Sequence, residues 1–291
     1  MTCTPGDHLL VVDDGRTVGY SVYGDPDGRP VVNCHGGLVS GHDVAPADAV
    51  ARELGICVIS PDRPGVARTD PLPGRGMLPW VGSDVERLID HLGVDRFGVM
   101  GWSAGGQYAL AVARGLADRV DRGAVIAGCP PLDDPGVFGG LNRVDRTLVR
   151  LARRAPAAAR SYFRLTAALP ARWPSVLLRT ALVGVPPDEA DAVRARGDWL
   201  PKLMAEGARQ SRGAVDEYLT FSDPWGFAPE DVTVPVRVFQ GGDDTLVPAV
   251  WGRKLAARLP DASYVLFPGE GHFVALTRRR EVLAWLGGGD G

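Results

Sequence analysis

Short apolar runs alternate with stretches whose apolar residues recur every three or four positions, and this alternation admits few architectures. The runs at 31–34, 57–60, 97–100 and 124–127 are largely apolar throughout, as strands buried on both faces are. Helical patterns at 46–54, 77–92 and 105–116 lie between them, and two more follow at 250–259 and 278–286. This order predicts an α/β fold with a mainly parallel sheet covered on both faces. Two earlier runs, 9–12 and 18–23, flank Asp13-Asp14-Gly15, a strong hairpin turn signal. Two later ones, 236–239 and 264–267, bring the expected strands to eight.

The interval 131–235 differs in kind. It carries repeated prolines, many arginines and helix-like pieces at 143–154, 175–183, 188–204 and 215–221, with one short low-complexity stretch at 152–160. The expected organisation is a core of residues 1–130 and 236–291 interrupted by a helical lid at 131–235. A chain of 291 residues can bury a large core, and 45% hydrophobic with 23% charged residues is an ordinary globular balance. With 32 Lys plus Arg against 35 Asp plus Glu the formal charge is −3, so no global field would attract nucleic acid. Cys3, Cys34, Cys57 and Cys129 are scattered singly, as reduced structural thiols are. Residues 1–14 lack a secretory leader pattern, and no apolar run approaches membrane-spanning length. A cytoplasmic location away from membranes is expected.

The candidate chemistry gathers at strand ends. Gly101-Trp102-Ser103-Ala104-Gly105 fits G-x-S-x-G between a strand and a helix. A nucleophile on such a strained turn needs small neighbours, and the helix N-terminus that follows offers N–H groups to a developing oxyanion. A tight packing turn would also explain the glycines. A serine hydroxyl needs a base, and His272 in Gly269-Glu270-Gly271-His272-Phe273 lies just past the last expected strand. The base needs an orienting acid. Asp243 and Asp244 follow the seventh strand, and Asp133 and Asp134 follow the sixth, although carboxylates in such loops are more commonly turn residues or caps. His35-Gly36-Gly37 follows the third strand, and Gly37 N–H paired with Ala104 N–H is the expected oxyanion hole. His35 is expected to bond the backbone. His8, His35, His42 and His91 form no ligand-spaced cluster, so neither metal nor cofactor is expected.

With the chain order Ser, Asp, His, the sequence resembles the α/β-hydrolase family, in the serine-nucleophile branch with proline iminopeptidase-like and haloperoxidase-like members. Its motifs are His35-Gly36-Gly37, the loop from Pro61 to Asp70, the turn at Ser103, and Asp244 to Pro248. The resemblance covers nearly all the chain outside the lid. It maps the acid onto Asp244, four residues before the proline. The family's proline after H-G-G is Leu38 here, its second loop glycine is Ala67, and its serine is Thr69. Asp62 and Arg63 are expected to fix their loop as a buried pair. A serine at the turn argues against the dehalogenase and epoxide hydrolase branches, which use Asp there.

The resemblance implies a serine hydrolase acting on a small ester, amide or lactone through an acyl-enzyme, with Ser103, His272 and Asp244 as triad. Cyclase, lyase or acyltransferase chemistry on the same site, or a non-catalytic binding role, are the alternatives. Leu38, Trp102, Trp173 and Trp199 are the candidate substrate-binding residues, although aromatic residues in the lid, Tyr162 and Phe163 among them, more commonly pack against their own neighbours. The expected partner is a small acyl substrate, and a homodimer is compatible with the sequence; the arginine-rich span 143–179 is more commonly a solvated helix face, although it could contact an acidic carrier protein or a carboxylate substrate.

Overall fold

In the computed structural model residues 3–289 are described, apart from 73 and 75, so the outermost positions of the expected core spans and of the leader reading lie outside the described residues. Eight strands form one sheet: β1 (Gly6–Val11), β2 (Thr17–Gly24), β3 (Arg29–Cys34), β4 (Ile56–Pro61), β5 (Phe97–Trp102), β6 (Val120–Ile126), β7 (Val236–Gly241) and β8 (Ala262–Phe267). Their spatial order is β1-β2-β4-β3-β5-β6-β7-β8. The first two pair antiparallel across the Asp13-Asp14-Gly15 turn, β2 pairs antiparallel with β4, and every later pairing is parallel.

Two apolar clusters cover the two faces. One joins Val32, Cys34, Val99 and Val125 of the sheet to Leu88, Leu110 and Leu255 of the helices, the other joins Val31, Val58, Met100 and Phe239 to Ala51, Val282 and Leu286. Each fully buried leucine or isoleucine of this kind stabilises the fold by about 1.5–3 kcal/mol. The four cysteines are free and buried. Burial pushes the Cys34 thiol up to about 12, which makes it an inert packing group.

The expected helix at 77–92 is interrupted by a π turn, Val81–Val85, between the helical pieces Met77–Trp80 and Glu86–His91. Asp84 on that turn is fully buried and accepts from Arg16 Nη2 at 2.5 Å, which ties the β1–β2 hairpin to this helix. No helix among the described residues is long and apolar enough to cross a membrane.

The segment joining β6 to β7 is helical. Arg143–Arg154, Pro156–Thr166 and Ser211–Ser222 build an apolar cluster of their own from Leu148, Val149, Ala159, Phe163, Val215 and Tyr218. The helices Pro187–Arg194 and Trp199–Gly207 instead send Ala190, Val193 and Leu200 into a cluster of the main sheet. The single expected helix at 188–204 is therefore two, broken where Gly197 takes φ 61°. Pro156–Thr166 overlaps the stretch read as low complexity. Pro156 opens it at a first-turn position where the missing N–H leaves no bond unmade.

Candidate active site

The loops leaving the C-terminal ends of β3, β5, β7 and β8 bring the residues singled out above to one edge of the sheet. Ser103 leaves β5 with φ 56°, a left-handed conformation unfavourable for a side chain bearing Cβ and held here by its surroundings. Its N–H donates to Ile126 O at 2.8 Å, and its carbonyl accepts from Gly106 N at 3.0 Å. The helix Gly105–Gly115 begins at once, and a Cβ on Gly105 would run into the Cys34 and His35 carbonyl oxygens. Glycine is needed there for the helix N-terminus to seat against the β3 loop. Among the described residues Ser103 Oγ makes no hydrogen bond.

Asp244 Oδ2 lies 2.9 Å from His272 Nδ1. The same oxygen accepts from Gln240 Nε2 at 3.3 Å, while Oδ1 accepts from the N–H groups of Leu246 and Val247 at 2.8 and 2.9 Å. A carboxylate so surrounded by donors has one orientation, and an acceptor facing Nδ1 fixes the proton there. Nε2 is left as the basic nitrogen. Trp102 Nε1 donates to His272 O at 2.8 Å, so the residue beside Ser103 also anchors the His272 loop. The other carboxylates considered are elsewhere: Asp243 and Asp133 are exposed, and Asp134 pairs with Arg258 at 2.5 Å.

On the β3 loop, His35 is fully buried, and burial with the Arg63 charge holds its pKa well below the ordinary value. Its Nε2 accepts from Arg63 N at 3.0 Å, so Nδ1 carries the proton toward Gly36 O at 2.9 Å. Gly36 N–H donates to Asp43 Oδ2 and Leu38 N–H to Glu217 Oε2, both at 2.9 Å. Burial pushes the Asp43 carboxyl up to about 6, against the opposing pull of the Gly36 donor. Gly37 N–H has no acceptor among the described residues, nor has Ala104 N–H. A Cβ on Gly37 would stand 3.3 Å from that of Ala104, so these two free donors belong to neighbouring residues.

The expected Asp62–Arg63 pair does not form. Asp62 Oδ1 accepts from Gly41 N at 2.8 Å and its Oδ2 lies 3.5 Å from Arg68. Arg63 bonds the carbonyls of His35 and Gly36 and pairs with Glu217, which reaches it from the helix Ser211–Ser222. The partner that buried arginine requires comes from far along the chain.

The sequence matches the alpha/beta hydrolase fold family over residues 29–278. The chain belongs to the α/β-hydrolase family. It is a hydrolase of that fold. It is 30% identical over 229 residues to a pimeloyl-[acyl-carrier protein] methyl ester esterase of Aromatoleum aromaticum, an alignment that spans 70% of this chain and 79% of that protein. Identity is also 30% over 284 residues to a homoserine O-acetyltransferase of Deinococcus radiodurans, spanning 88% of this chain and 81% of the other. A crystal structure of a bromoperoxidase from Bacillus anthracis superposes with a TM-score of 0.72 over 97% of this chain and 99% of that one at 20% identity, which is a likeness of fold.

The candidate substrate-binding residues of this α/β-hydrolase are dispersed. Trp102 and Trp199 line one cavity together with Asn33, Asp43, Met100 and Phe273, and Trp199 Nε1 donates to His42 O at 3.3 Å. Leu38, with φ 54°, packs against the apolar cluster of the helical segment. Trp173 is 51% exposed with Arg172 over its ring, and it does not line that cavity. Tyr162 and Phe163 meet edge to face, and Phe163 packs in the segment's own cluster, the commoner fate of such residues, while Tyr162 stays exposed.

Three glutamates of the helical segment reach the loops around these residues without a sequence motif to mark them. Glu189 accepts from Gly271 N at 2.7 Å and Phe273 N at 3.1 Å, Glu206 accepts from Ser40 Oγ at 2.5 Å, and Glu217 holds Leu38 N and Arg63. Glu189 looks like an ordinary first-turn acid, and nothing local marks the other two.

Proposed function

We propose that this protein hydrolyses a small ester, amide or lactone through an acyl-enzyme on Ser103. In this mechanism Ser103 Oγ attacks the carbonyl carbon while its proton passes to His272 Nε2. Asp244 keeps the imidazole in the required tautomer and stabilises the imidazolium. The N–H groups of Gly37 and Ala104 hold the oxyanion. Collapse expels the leaving group, which takes the proton from Nε2. Water then enters, gives a proton to Nε2 and cleaves the acyl ester, and the returning proton frees Ser103. The helices between β6 and β7 act as a lid whose inner wall selects the acyl group.

The observation that carries this reading is the 2.9 Å contact of Asp244 with His272 Nδ1, in a loop anchored by the indole next to Ser103. The unoccupied N–H pair at Gly37 and Ala104 adds support. Ser103 Oγ is free of other partners, as a nucleophile is before substrate draws the hydroxyl and imidazole together.

A panel of activated esters, amides and lactones of varied chain length tests it. Ser103→Ala is expected to lower turnover by about 10⁴-fold or more with circular dichroism unchanged. Turnover equal to that of the wild type would remove the serine from the mechanism. A second reading, transfer of the acyl group to an alcohol alongside hydrolysis, is favoured by the likeness to an O-acetyltransferase. Product analysis with an added alcohol separates the two, since transfer gives a new ester in place of free acid.

A further inference from the structure

The base sits in a loop held from a direction that the triad does not explain. Glu189 belongs to the helix Pro187–Arg194 of the segment between β6 and β7, and it is wholly buried. Its two carboxylate oxygens take the two backbone N–H groups that flank His272, Oε1 from Gly271 at 2.7 Å and Oε2 from Phe273 at 3.1 Å. Two donors held by one rigid carboxylate fix the 270–271 and 272–273 peptide planes, the second of them directly after the imidazole-bearing residue, and such charge-assisted bonds are about twice as strong as neutral ones. The approach leaves no slack. A Cβ on Gly271 would stand 2.7 Å from Pro186 Cδ and 3.0 Å from Glu189 Oε2, so the loop is pressed against this helix.

A buried carboxylate needs a reason to remain. Burial, with the neighbouring Glu270, pushes the Glu189 carboxyl up, while the Gly271 and Phe273 donors and, to a lesser degree, His272 oppose it and favour the ionised form. A purely structural tie between helix and loop could be made by a backbone carbonyl or by apolar packing.

We propose that Glu189 is a positioning residue for His272: it sets the imidazole between Asp244 and Ser103 and adds a second negative charge near the imidazolium that forms as Ser103 gives up its proton. The inference rests on the catalytic reading above. His272 is then held at three places, its ring by Asp244, its carbonyl by Trp102 Nε1 and its flanking N–H groups by Glu189. The helical segment thereby contributes to the proton-transfer machinery as well as to the pocket.

Glu189→Gln keeps shape and removes both the charge and one acceptor. Measured per active site titrated with a fluorophosphonate, kcat on an activated ester is expected to fall about 10- to 100-fold with KM within about two-fold, the signature of an interaction made in the transition state. The second measurement is NMR titration of the His272 imidazole in a Ser103→Ala background, with and without Glu189→Gln. The charged groups around the pair are Asp244 against the ring, and Glu270, itself bound by Arg278 and Thr277. All are common to both proteins. Loss of the Glu189 charge destabilises the imidazolium, so the midpoint is expected to drop by about half a pH unit or more, and the acid limb of kcat/KM to move to lower pH with it.

An unchanged midpoint together with unchanged kcat per titrated site overturns the proposal, even if the variant melts earlier, because a structural strut alters the folded fraction only. The two hypotheses fail separately. Full turnover in Ser103→Ala sinks the hydrolase mechanism, while the imidazole titration still reports whether Glu189 acts on His272.

Discussion

Ala67 holds φ 43°, a left-handed value that an alanine side chain resists, at the position where the family resemblance calls for glycine. The loop it belongs to carries Asp62 and Arg63, so the strain lies beside the floor of the β3 loop. Ala67→Gly is expected to raise the unfolding free energy by about 1 kcal/mol, read from the midpoint of urea denaturation at unchanged slope. A lowered midpoint would show that the methyl group contributes more through packing than it takes through strain. On the proposed mechanism the strain at Ser103 has another meaning, since a turn of this kind presents a nucleophile. Ser103, His272 and Asp244 were legible as candidates because glycines and strand ends announce them locally. Gln240 behind Asp244, Glu217 behind Arg63 and Glu189 behind His272 were not, because each matters only through a neighbour that folding delivers, Gly271 being 82 residues from Glu189.

At the scale of elements, all eight strands were legible and the helix Arg143–Arg154 matches its expected span, because strand burial and a 3.6-residue stripe are properties of the segment alone. The helix Pro156–Thr166 was not. Its alanine-rich opening hides the stripe, and only Ala159 and Phe163 turn inward. The helix Ser211–Ser222 shows how far local preference can mislead. Gly213 lies in its first turn, where alanine ordinarily gains up to about 1 kcal/mol. A Cβ there would collide with the backbone of Gly65, because the helix crosses the Asp62–Arg63 loop at backbone contact. Gly213→Ala is therefore expected to destabilise by about 1–3 kcal/mol and to disturb the Arg63–Glu217 pair. Thermal melts check the sign, and a gain in stability would mean that the crossing can open without loss.

For the whole molecule, the question is whether the helical segment is an appendage. Leu182, Ala190, Val193 and Leu200 belong to an apolar cluster of the sheet, and Glu189, Glu206 and Glu217 each reach loops of the main body. Segment and sheet are expected to unfold as one. Calorimetry should give a single transition with calorimetric and van't Hoff enthalpies in agreement, and two resolved transitions would show the segment to be an independent unit. Domain spans read from the sequence, 1–130 with 236–291 against 131–235, divide the chain where its composition changes. They carry no information about these crossings, which depend on which carboxylates are buried in the assembled molecule.

The position of Glu189 also bears on protein engineering. Exchanging the helices between β6 and β7 for those of a relative is an obvious route to a new substrate range, since the sheet and the Ser103 turn would stay intact. Such a graft would leave Gly271 and Phe273 without their shared acceptor unless the donor segment supplied a carboxylate at the same place. On the proposed mechanism, a chimera chosen for pocket shape alone would keep Ser103 and lose the aim of His272, so inactive grafts should be repaired at residue 189 before the pocket is redesigned.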